Sequence, residues 1–483
     1  MPAPKESTGL SAVIILAAGM GTRMKSSTPK VLHSVLGRSL VEHVLHATHP
    51  LEAGQTVVVV GHEREQVVDK LAVTFPTALT AVQEPQNGTG HAVLVALEQI
   101  PESVSGSVLI LAGDAPLITT TDLSALVDAQ RGVSASVLTA HLDNPTGYGR
   151  IIRNAQGSVD FIIEHRDATA EQQTCTEVNS GVYVFDIALL RDALSRIGTA
   201  NSQGELYLTD VIGILRSDGH DVNAVVTEEQ NILGVNDRSQ LAEVGRLLRD
   251  RIAQQWMLSG VTIVDPSSVW IDSTVVIEAD ATLLPNVILS GTTRIATGAV
   301  IGPDCSLSDT VVGAGATVIR ATTMSAVIGE HANVGPYTYL RPGTKLGAHS
   351  RAGGFVEMKN VVLGDDAKVP HLSYVGDAQI GDGTNVGAAT IFVNYDGVDK
   401  HHTVIGKHAR IGSDTMLVAP VTVGDGAYTA AGSVITENVP AGAIGIGRAK
   451  QRNILDWVLR RRPGTPSAIA AVADSSGNST NEG

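Results

Sequence analysis

The sequence predicts an α/β domain with a parallel-rich sheet, followed by a left-handed parallel β-helix. Three observations carry this prediction. From about residue 260 to 447 an aliphatic side chain returns every six residues, most plainly at Ile271, Ile277, Leu283, Leu289, Ile295, Ile301 and Leu307. A six-residue period with small and turn residues between is the pattern of short strands wound into triangular coils. Before the repeat, apolar runs at 12–17, 56–61 and 108–112 alternate with helix-like segments at 40–47, 63–71, 91–99 and 121–129. That alternation predicts a sheet covered by helices, with ligands gathered at the carboxyl ends of its strands. Finally, aromatics make up only 3% of the chain, against 50 glycines. A narrow β-helical interior takes Val, Ile, Leu and Ala rather than large rings.

At the N-terminus, Lys5 and the apolar run 10–18 also match the start of a signal peptide. The run is short and leads directly into G-M-G-T-R-M, so it reads as a buried first strand entering a loop. Residues 240–257 read as one connecting helix, with Ser239 as its N-cap and Leu241, Val244, Leu247, Leu248 and Ile252 as its apolar stripe. Each coil of the repeat needs about 18 residues and coils stack at about 4.8 Å, so about ten coils span on the order of 50 Å. A step of 18 then returns a side chain to the same face. After Arg448 a short basic helix carries Trp457, and the small, polar stretch from Pro466 onward predicts disorder. The boundaries are 1–236, 237–258, 259–448 and 449–483.

Composition excludes several classes. A net charge of −15 argues against general nucleic-acid binding, although it leaves room for a locally basic pocket. Cys175 and Cys305 are the only cysteines, which is no disulfide framework. No apolar run reaches membrane-spanning length, and a cytoplasmic protein is the expectation.

The loop L-A-A-G-M-G-T-R-M at 16–24, followed by P-K-V-L from Pro29, places two glycines after a strand and two cations, Arg23 and Lys30, near them. Glycines let backbone N–H groups approach phosphate oxygens, and the cations hold developing negative charge. Together with Q-E-P-Q-N-G-T-G-H-A (83–92), G-D-A-P-L (113–117), N-P-T-G-Y-G-R-I (144–151), E-H-R-D-A (164–168), E-V-N-S-G (177–181) and G-V-N-D-R (234–238), the loop resembles the sugar-1-phosphate nucleotidyltransferases. Joined to a β-helix, the pattern resembles the family of bifunctional N-acetylglucosamine-1-phosphate uridyltransferases/glucosamine-1-phosphate acetyltransferases over nearly the whole chain, from about Ala12 to Arg448.

The resemblance implies a Rossmann-like mixed sheet in a uridyltransferase domain (1–236), a helical linker (237–258) and an acetyltransferase β-helix (259–448). Leu16, Ala17, Ala18, Gly19, Gln83, Gly88 and Thr89 would bind the uridine nucleotide, and Gly149, Glu164 and Asn179 the sugar. Arg23 and Lys30 would be catalytic, and Asp114 and Asn236 would hold Mg²⁺. In the repeat, L-R-P-G (340–343), F-V-E-M-K (355–359), H-L-S-Y-V-G-D (371–377), N-V-G-A-A-T (385–390) and V-N-Y-D-G (393–397) break the register. The resemblance makes His371 the base for acetyl transfer, with Glu357 orienting or polarising it. His titrates near neutral pH, as such a base must. Arg341, Lys359, Tyr374, Asn385, Asn394 and Tyr395 would bind the amino sugar phosphate. Ala388, Ser413, Ala431 and Arg448 would bind acetyl-CoA, with Ala389 standing where the family often has Gly.

The implied substrates are glucosamine-1-phosphate, UTP and acetyl-CoA, the implied assembly is a homotrimer, and the implied role is cell-wall peptidoglycan precursor synthesis. Three other readings remain open at this stage. One is a nucleotidyltransferase with a non-catalytic assembly or regulatory β-helix, and another is a catalytically silent oligomeric scaffold. The third is a zinc site between subunits at His331 and His349, which are 18 residues apart.

Overall fold

The computed structural model describes residues 9–61 and 63–477. Lys5 and the last six residues of the tail therefore lie outside the described residues. The chain divides into two compact units, the first ending at Val327 and the second beginning at Ile328.

The first unit is built on a nine-stranded mixed sheet. Its central strand, Leu10–Leu16, pairs in parallel with Gln55–Val60 on one side and Ser107–Ala112 on the other. Glu177–Asp186 runs antiparallel between Ser107–Ala112 and Ala135–His141. The sequence-based bounds at 12–17, 56–61 and 108–112 are thus shifted by one or two residues. Successive side chains of the central strand serve opposite faces, as the strand period of two requires. Ala12 and Ile14 join the core under helices Thr89–Leu97, Ile187–Leu194 and Asp210–Ser217, while Val13 and Ile15 join the core under Leu40–Thr48 and Thr120–Gln130. Ser39 starts Leu40–Thr48 with a capping box, its N–H donating to the Glu42 carboxylate at 2.7 Å.

The connecting helix is Arg238–Leu258, and its N-cap is Asp237 rather than Ser239. Asp237 is extended at φ −144° and its carboxylate accepts the Gln240 N–H at 2.9 Å. An anionic cap suits the positive end of a helix better than a hydroxyl. Of the expected stripe, Val244, Leu248 and Ile252 are buried, whereas Leu241 and Leu247 are only half-buried.

The repeat follows as two- to four-residue parallel strands. In the first unit Trp270 pairs with Ile288, Val276 with Arg294 and Thr282 with Val300, each one 18-residue coil later. All seven aliphatics of the clearest stretch are at most 4% exposed. The step shortens to 17 already between Arg294 and Val311, and again in the second unit, where Arg351 pairs with Lys368 and Glu357 with Tyr374. It then jumps to 25 between Asn385 and Arg410. The extra residues form a hairpin around Asp396, described below.

The tail is a correction to the sequence-based expectation. Pro466–Gly477 is helical, not disordered. Four alanines at 468, 470, 471 and 473 favour helix strongly, Pro466 is preorganised for a first turn, and the Thr465 hydroxyl accepts the Ala468 N–H at 3.3 Å. No helix among the described residues is long and apolar enough to cross a membrane.

Candidate functional site

The first site forms where the central strand ends. The Ala17 N–H donates to Val59 O and the Gly113 N–H to Leu16 O, both at 2.9 Å, so three strand ends are tied side by side. The chain then turns at Gly21, φ 59°, where a Cβ would come within 2.6 Å of Lys30 Cβ. Only glycine allows this close approach, which turns Lys30 back toward the strand ends. There the Lys30 ammonium donates to the Asp114 carboxylate and, at 3.2 Å, to Asn236 Oδ1. The Asp114 carbonyl accepts the Val235 N–H at 2.9 Å, which locks the two loops together.

A cavity of about 460 Å³ opens beside this cluster. It is lined by Leu16, Ala17, Ala18, Gly19, Lys30 and Asp114 together with Gln83, Gly88 and Thr89. Every nucleotide residue expected from the sequence therefore faces one space. Gln83 is buried and its amide donates to Gly88 O at 2.9 Å. Gln86 and Glu205 also line the cavity, and the Gln86 amide donates to Ala18 O. Neither had been assigned a role. Gln86 lay inside a recognised motif, while Glu205 had no signal in its neighbourhood. Arg23 is exposed on the short helix Thr22–Met24 and does not line this cavity.

Gly149, Glu164 and Asn179 form an adjoining cluster. The Asn179 N–H donates to Gly149 O at 2.9 Å, and the Thr209 hydroxyl donates to Glu164 at 3.2 Å. Burial, with help from Asp167 and Asp210, pushes the Glu164 carboxyl above its usual range. Burial also raises the Tyr148 phenol, and the charges of Glu229 and Asp114 add to this.

In the second unit, the repeat brings the other residues together. Arg341 and Lys359 occupy equivalent places in adjacent coils, since Leu340 pairs with Met358. Among the described residues the partner shown for the Glu357 carboxylate is Arg341. That carboxylate accepts Arg341 Nη1 at 2.8 Å, and this bond raises the guanidinium pKa. Arg341 is the stronger claimant because a guanidinium offers several donors at one coil's separation. His371 ends the strand Lys368–His371 and is exposed, and its carbonyl accepts the Ser373 hydroxyl at 2.8 Å.

Tyr374 is half-buried on the strand Tyr374–Ile380. Gly376 on the same strand makes room: a Cβ there would lie 2.5 Å from the Tyr374 hydroxyl and 2.7 Å from Asn394 Nδ2. Asn394 is buried and donates to Asp377 at 2.6 Å. Beyond it, the inserted hairpin closes on Asp396, whose carboxylate accepts the Val398 and Asp399 N–H groups at 2.8 and 2.7 Å and meets His401 Nε2 at 2.7 Å. These bonds, that of His401 first, hold the Asp396 carboxyl well below the usual range.

The hairpin presents Tyr395, which is exposed, and Lys400, paired across it as a β-bridge. Lys400 sits against Lys359 and is the main cause of its lowered ammonium pKa. Sequence spacing did not reveal Lys400, because the insertion carries it out of the repeat's register. Arg341, Lys359 and Lys400 thus make a cationic cluster suited to a phosphate.

Ala388, Ser413 and Ala431 occupy successive turns: the Asp414 N–H donates to Ala388 O at 2.8 Å and the Gly432 N–H to Ser413 O at 2.9 Å. Asn385 is half-buried one turn earlier, and Arg448 is exposed with its Cδ 3.8 Å from the position of a Gly432 Cβ. Ala389 adopts φ 60°, a left-handed conformation that glycine takes without strain. His331 and His349 stack with ring centroids 5.1 Å apart, and among the described residues no group of three or more His, Cys, Asp or Glu side chains is placed to hold a metal.

Two family models match the chain: a MobA-like NTP transferase domain over residues 13–163 and a bacterial transferase hexapeptide of six repeats over 402–437. Full-length relatives are similar as well. The bifunctional protein GlmU of Streptomyces avermitilis is 55% identical over 95% of this chain and 96% of its own length. That of Streptomyces coelicolor is 55% identical over 96% and 97%, and that of Corynebacterium efficiens 52% over 96% of each.

Proposed function

The chain belongs to the family of the bifunctional protein GlmU, and we propose from that premise which of its residues carry each of two reactions. It is a two-activity enzyme of UDP-N-acetylglucosamine synthesis. It transfers an acetyl group from acetyl-CoA to glucosamine-1-phosphate, then a uridyl group from UTP to the N-acetylated sugar phosphate in a Mg²⁺-dependent step. The product feeds cell-wall synthesis.

Residues 1–236 carry uridyl transfer. The backbone of Leu16–Gly19 and the Gln83–Thr89 segment hold the nucleotide, and Gly149, Glu164 and Asn179 hold the sugar. The sugar phosphate oxygen attacks the α-phosphorus of UTP and pyrophosphate leaves, so the protein needs to position charge rather than supply a nucleophile. Arg23 and Lys30 stabilise that charge, with Arg23 reaching the outer phosphates from the exposed loop. Asp114 and Asn236 offer two hard oxygens within reach of one cation, a donor set that fits Mg²⁺. When bound there, Mg²⁺ neutralises the phosphates and orients them.

The linker (237–258) joins this domain to the β-helix (259–448), which carries acetyl transfer. Arg341, Lys359 and Lys400 bind the sugar phosphate. Tyr374, Asn385, Asn394 and Tyr395 surround the amino sugar. His371 takes the proton from the amine as it attacks the thioester carbonyl, and the CoA thiol leaves. Glu357 holds Arg341 in place. Ala388, Ser413, Ala431 and Arg448 follow the CoA arm along successive turns. Residues 449–483 form a basic C-terminal extension. The assembly is a homotrimer packed through the β-helix, and its donors UTP and acetyl-CoA place it in the cytoplasm.

The observation that carries this reading is the single cavity shared by Leu16–Gly19, Lys30, Asp114, Gln83, Gly88 and Thr89. A product assay tests it by omitting glucosamine-1-phosphate, acetyl-CoA, UTP and Mg²⁺ in turn. UDP-N-acetylglucosamine should form only when all four are present. No product from all four, with UDP-N-acetylglucosamine still formed from ready-made N-acetylglucosamine-1-phosphate, UTP and Mg²⁺, would leave the β-helix as an assembly module. Light scattering should give three chains per particle, and a stable monomer at micromolar concentration would remove the trimer.

A further inference from the structure

A second cavity of about 500 Å³ lies in the first unit, away from the nucleotide-lining residues. Its walls come from Arg38 and the helix Leu40–Thr48, from the Pro116–Thr120 segment, from the linker helix between Leu248 and Ser259, and from Asp272–Val275 of the first coil. One part of the wall is cationic. Arg38 and Arg251 both face the space, and neither is within ion-pair distance of a carboxylate among the described residues. The Arg38 Nε–H is buried with no hydrogen-bond partner. The same holds for Arg150, Arg191 and Arg216, but of these four only Arg38 lines this cavity. Burial lowers both guanidinium pKa values, outweighing the charge of Glu42 near Arg38 and those of Asp122 and Glu228 near Arg251.

The rest of the wall sets apolar Ile118, Leu248, Ile252, Val275 and the half-buried Trp256 beside polar residues, among them His43 and His46. Asp272 is the one acid that lines it, and its carboxylate is engaged by the Gly291 N–H at 2.9 Å. An inorganic ion would leave the apolar wall wet. A ligand with one anionic head and a compact apolar body satisfies both parts.

We propose that this cavity is a regulatory site for a small organic anion, with a carboxylate or phosphate head between Arg38 and Arg251 and an apolar body against Trp256, Leu248 and Ile252. The site is wired to the uridyl centre by the segment that follows Asp114. Pro116 and Ile118 line the cavity, Arg251 Nη1 donates to Leu117 O at 2.7 Å, and the Asp114 carbonyl is itself held by Val235 N–H at 2.9 Å. A head group that draws Arg251 toward it pulls on Leu117, three residues from the carboxylate expected to hold the metal. An effector with different affinity for the two positions of that segment shifts uridyl transfer.

Phenyl phosphate and benzoate serve as probes, distinguishing a phosphate from a carboxylate head. Binding is followed by calorimetry and by Trp256 fluorescence in a chain with Trp270→Phe and Trp457→Phe. At least one probe should bind with one site per chain and remain bound at saturating UTP and Mg²⁺. Gln255 is an exposed lining residue, so its variants fold. Gln255→Glu should weaken binding and Gln255→Lys should tighten it, each by about two- to fivefold for one partly screened charge. Arg38→Gln should abolish it. Saturating probe should change the uridyl-transfer rate by about fivefold, with acetyl transfer unmoved. No saturable binding of either probe, binding displaced competitively by UTP, or identical affinity in the two Gln255 variants would each overturn the site. Binding with no change in uridyl transfer would overturn its regulatory role.

Discussion

Lys30 reaches Asp114 and Asn236 across 84 and 206 residues of chain, whereas Asp377 meets both Asn360 and Asn394 across 17. The proposed uridyl site is a convergence of strand ends, and its members have no arithmetic relation in the sequence. The proposed acetyl site is a ladder, in which one step of the repeat places a side chain over its predecessor. A ladder site is fixed by coil length, so its geometry fails locally when one rung changes. A convergent site is fixed by loop packing, as at Gly21 against Lys30 and Asp114 against Val235. The two should therefore respond to mutation independently and in different ways.

The largest expected effect is at the ladder. His371→Ala should lower acetyl transfer by about 10²–10⁴, the range for a positioned general base, and leave uridyl transfer from ready-made N-acetylglucosamine-1-phosphate unchanged. Wild-type acetyl transfer in this variant would remove His371 as the base. The counterpart is Asp114→Ala, which should lower uridyl transfer by about 10²–10³ and spare acetyl transfer. Loss of both activities in either variant would mean that the centres are not separable.

A smaller effect sharpens the ladder argument. Gly376→Ala puts a methyl group 2.5 Å from the Tyr374 hydroxyl and 2.7 Å from Asn394 Nδ2. Overpacking of this kind costs about 1–3 kcal/mol. The KM for glucosamine-1-phosphate should rise while the KM for UTP stays put, and equal KM values for the amino sugar in both proteins would contradict the crowded-rung account. The smallest effect is a gain. Ala389 holds a left-handed backbone at φ 60°, which costs an L-residue about 1–2 kcal/mol, so Ala389→Gly should raise the denaturation midpoint slightly after the flexibility of glycine is offset. A lower midpoint would show that the alanine methyl packs favourably enough to outweigh the strain.

The same contrast explains what could be read in advance. Arg341 above Lys359 follows from a spacing of 18, and the seven aliphatics from Ile271 to Leu307 are buried as the period requires. The loop at 16–24 was legible through its motif, because the close approach of Gly21 to Lys30 demands a glycine. Pairings decided by side-chain competition were not legible. Glu357 accepts a bond from Arg341, and Asp237 caps the linker helix ahead of Ser239. Lys400 was hidden by an insertion that lengthens one coil step to 25 residues. The polar tail read as disordered because its serines and asparagines drew attention from the alanines between Pro466 and Ala473, where helix propensity wins.

Mixing the two silenced variants tests most directly the claim of two separable centres in one chain. Asp114→Ala and His371→Ala proteins are each supplied with glucosamine-1-phosphate, acetyl-CoA, UTP and Mg²⁺, first alone and then as an equimolar mixture, and UDP-N-acetylglucosamine is quantified. The account predicts little product from either protein alone and restored synthesis in the mixture, because the acetylated sugar phosphate made by one is used by the other. A mixture as silent as its parts, with both proteins folded, would contradict it.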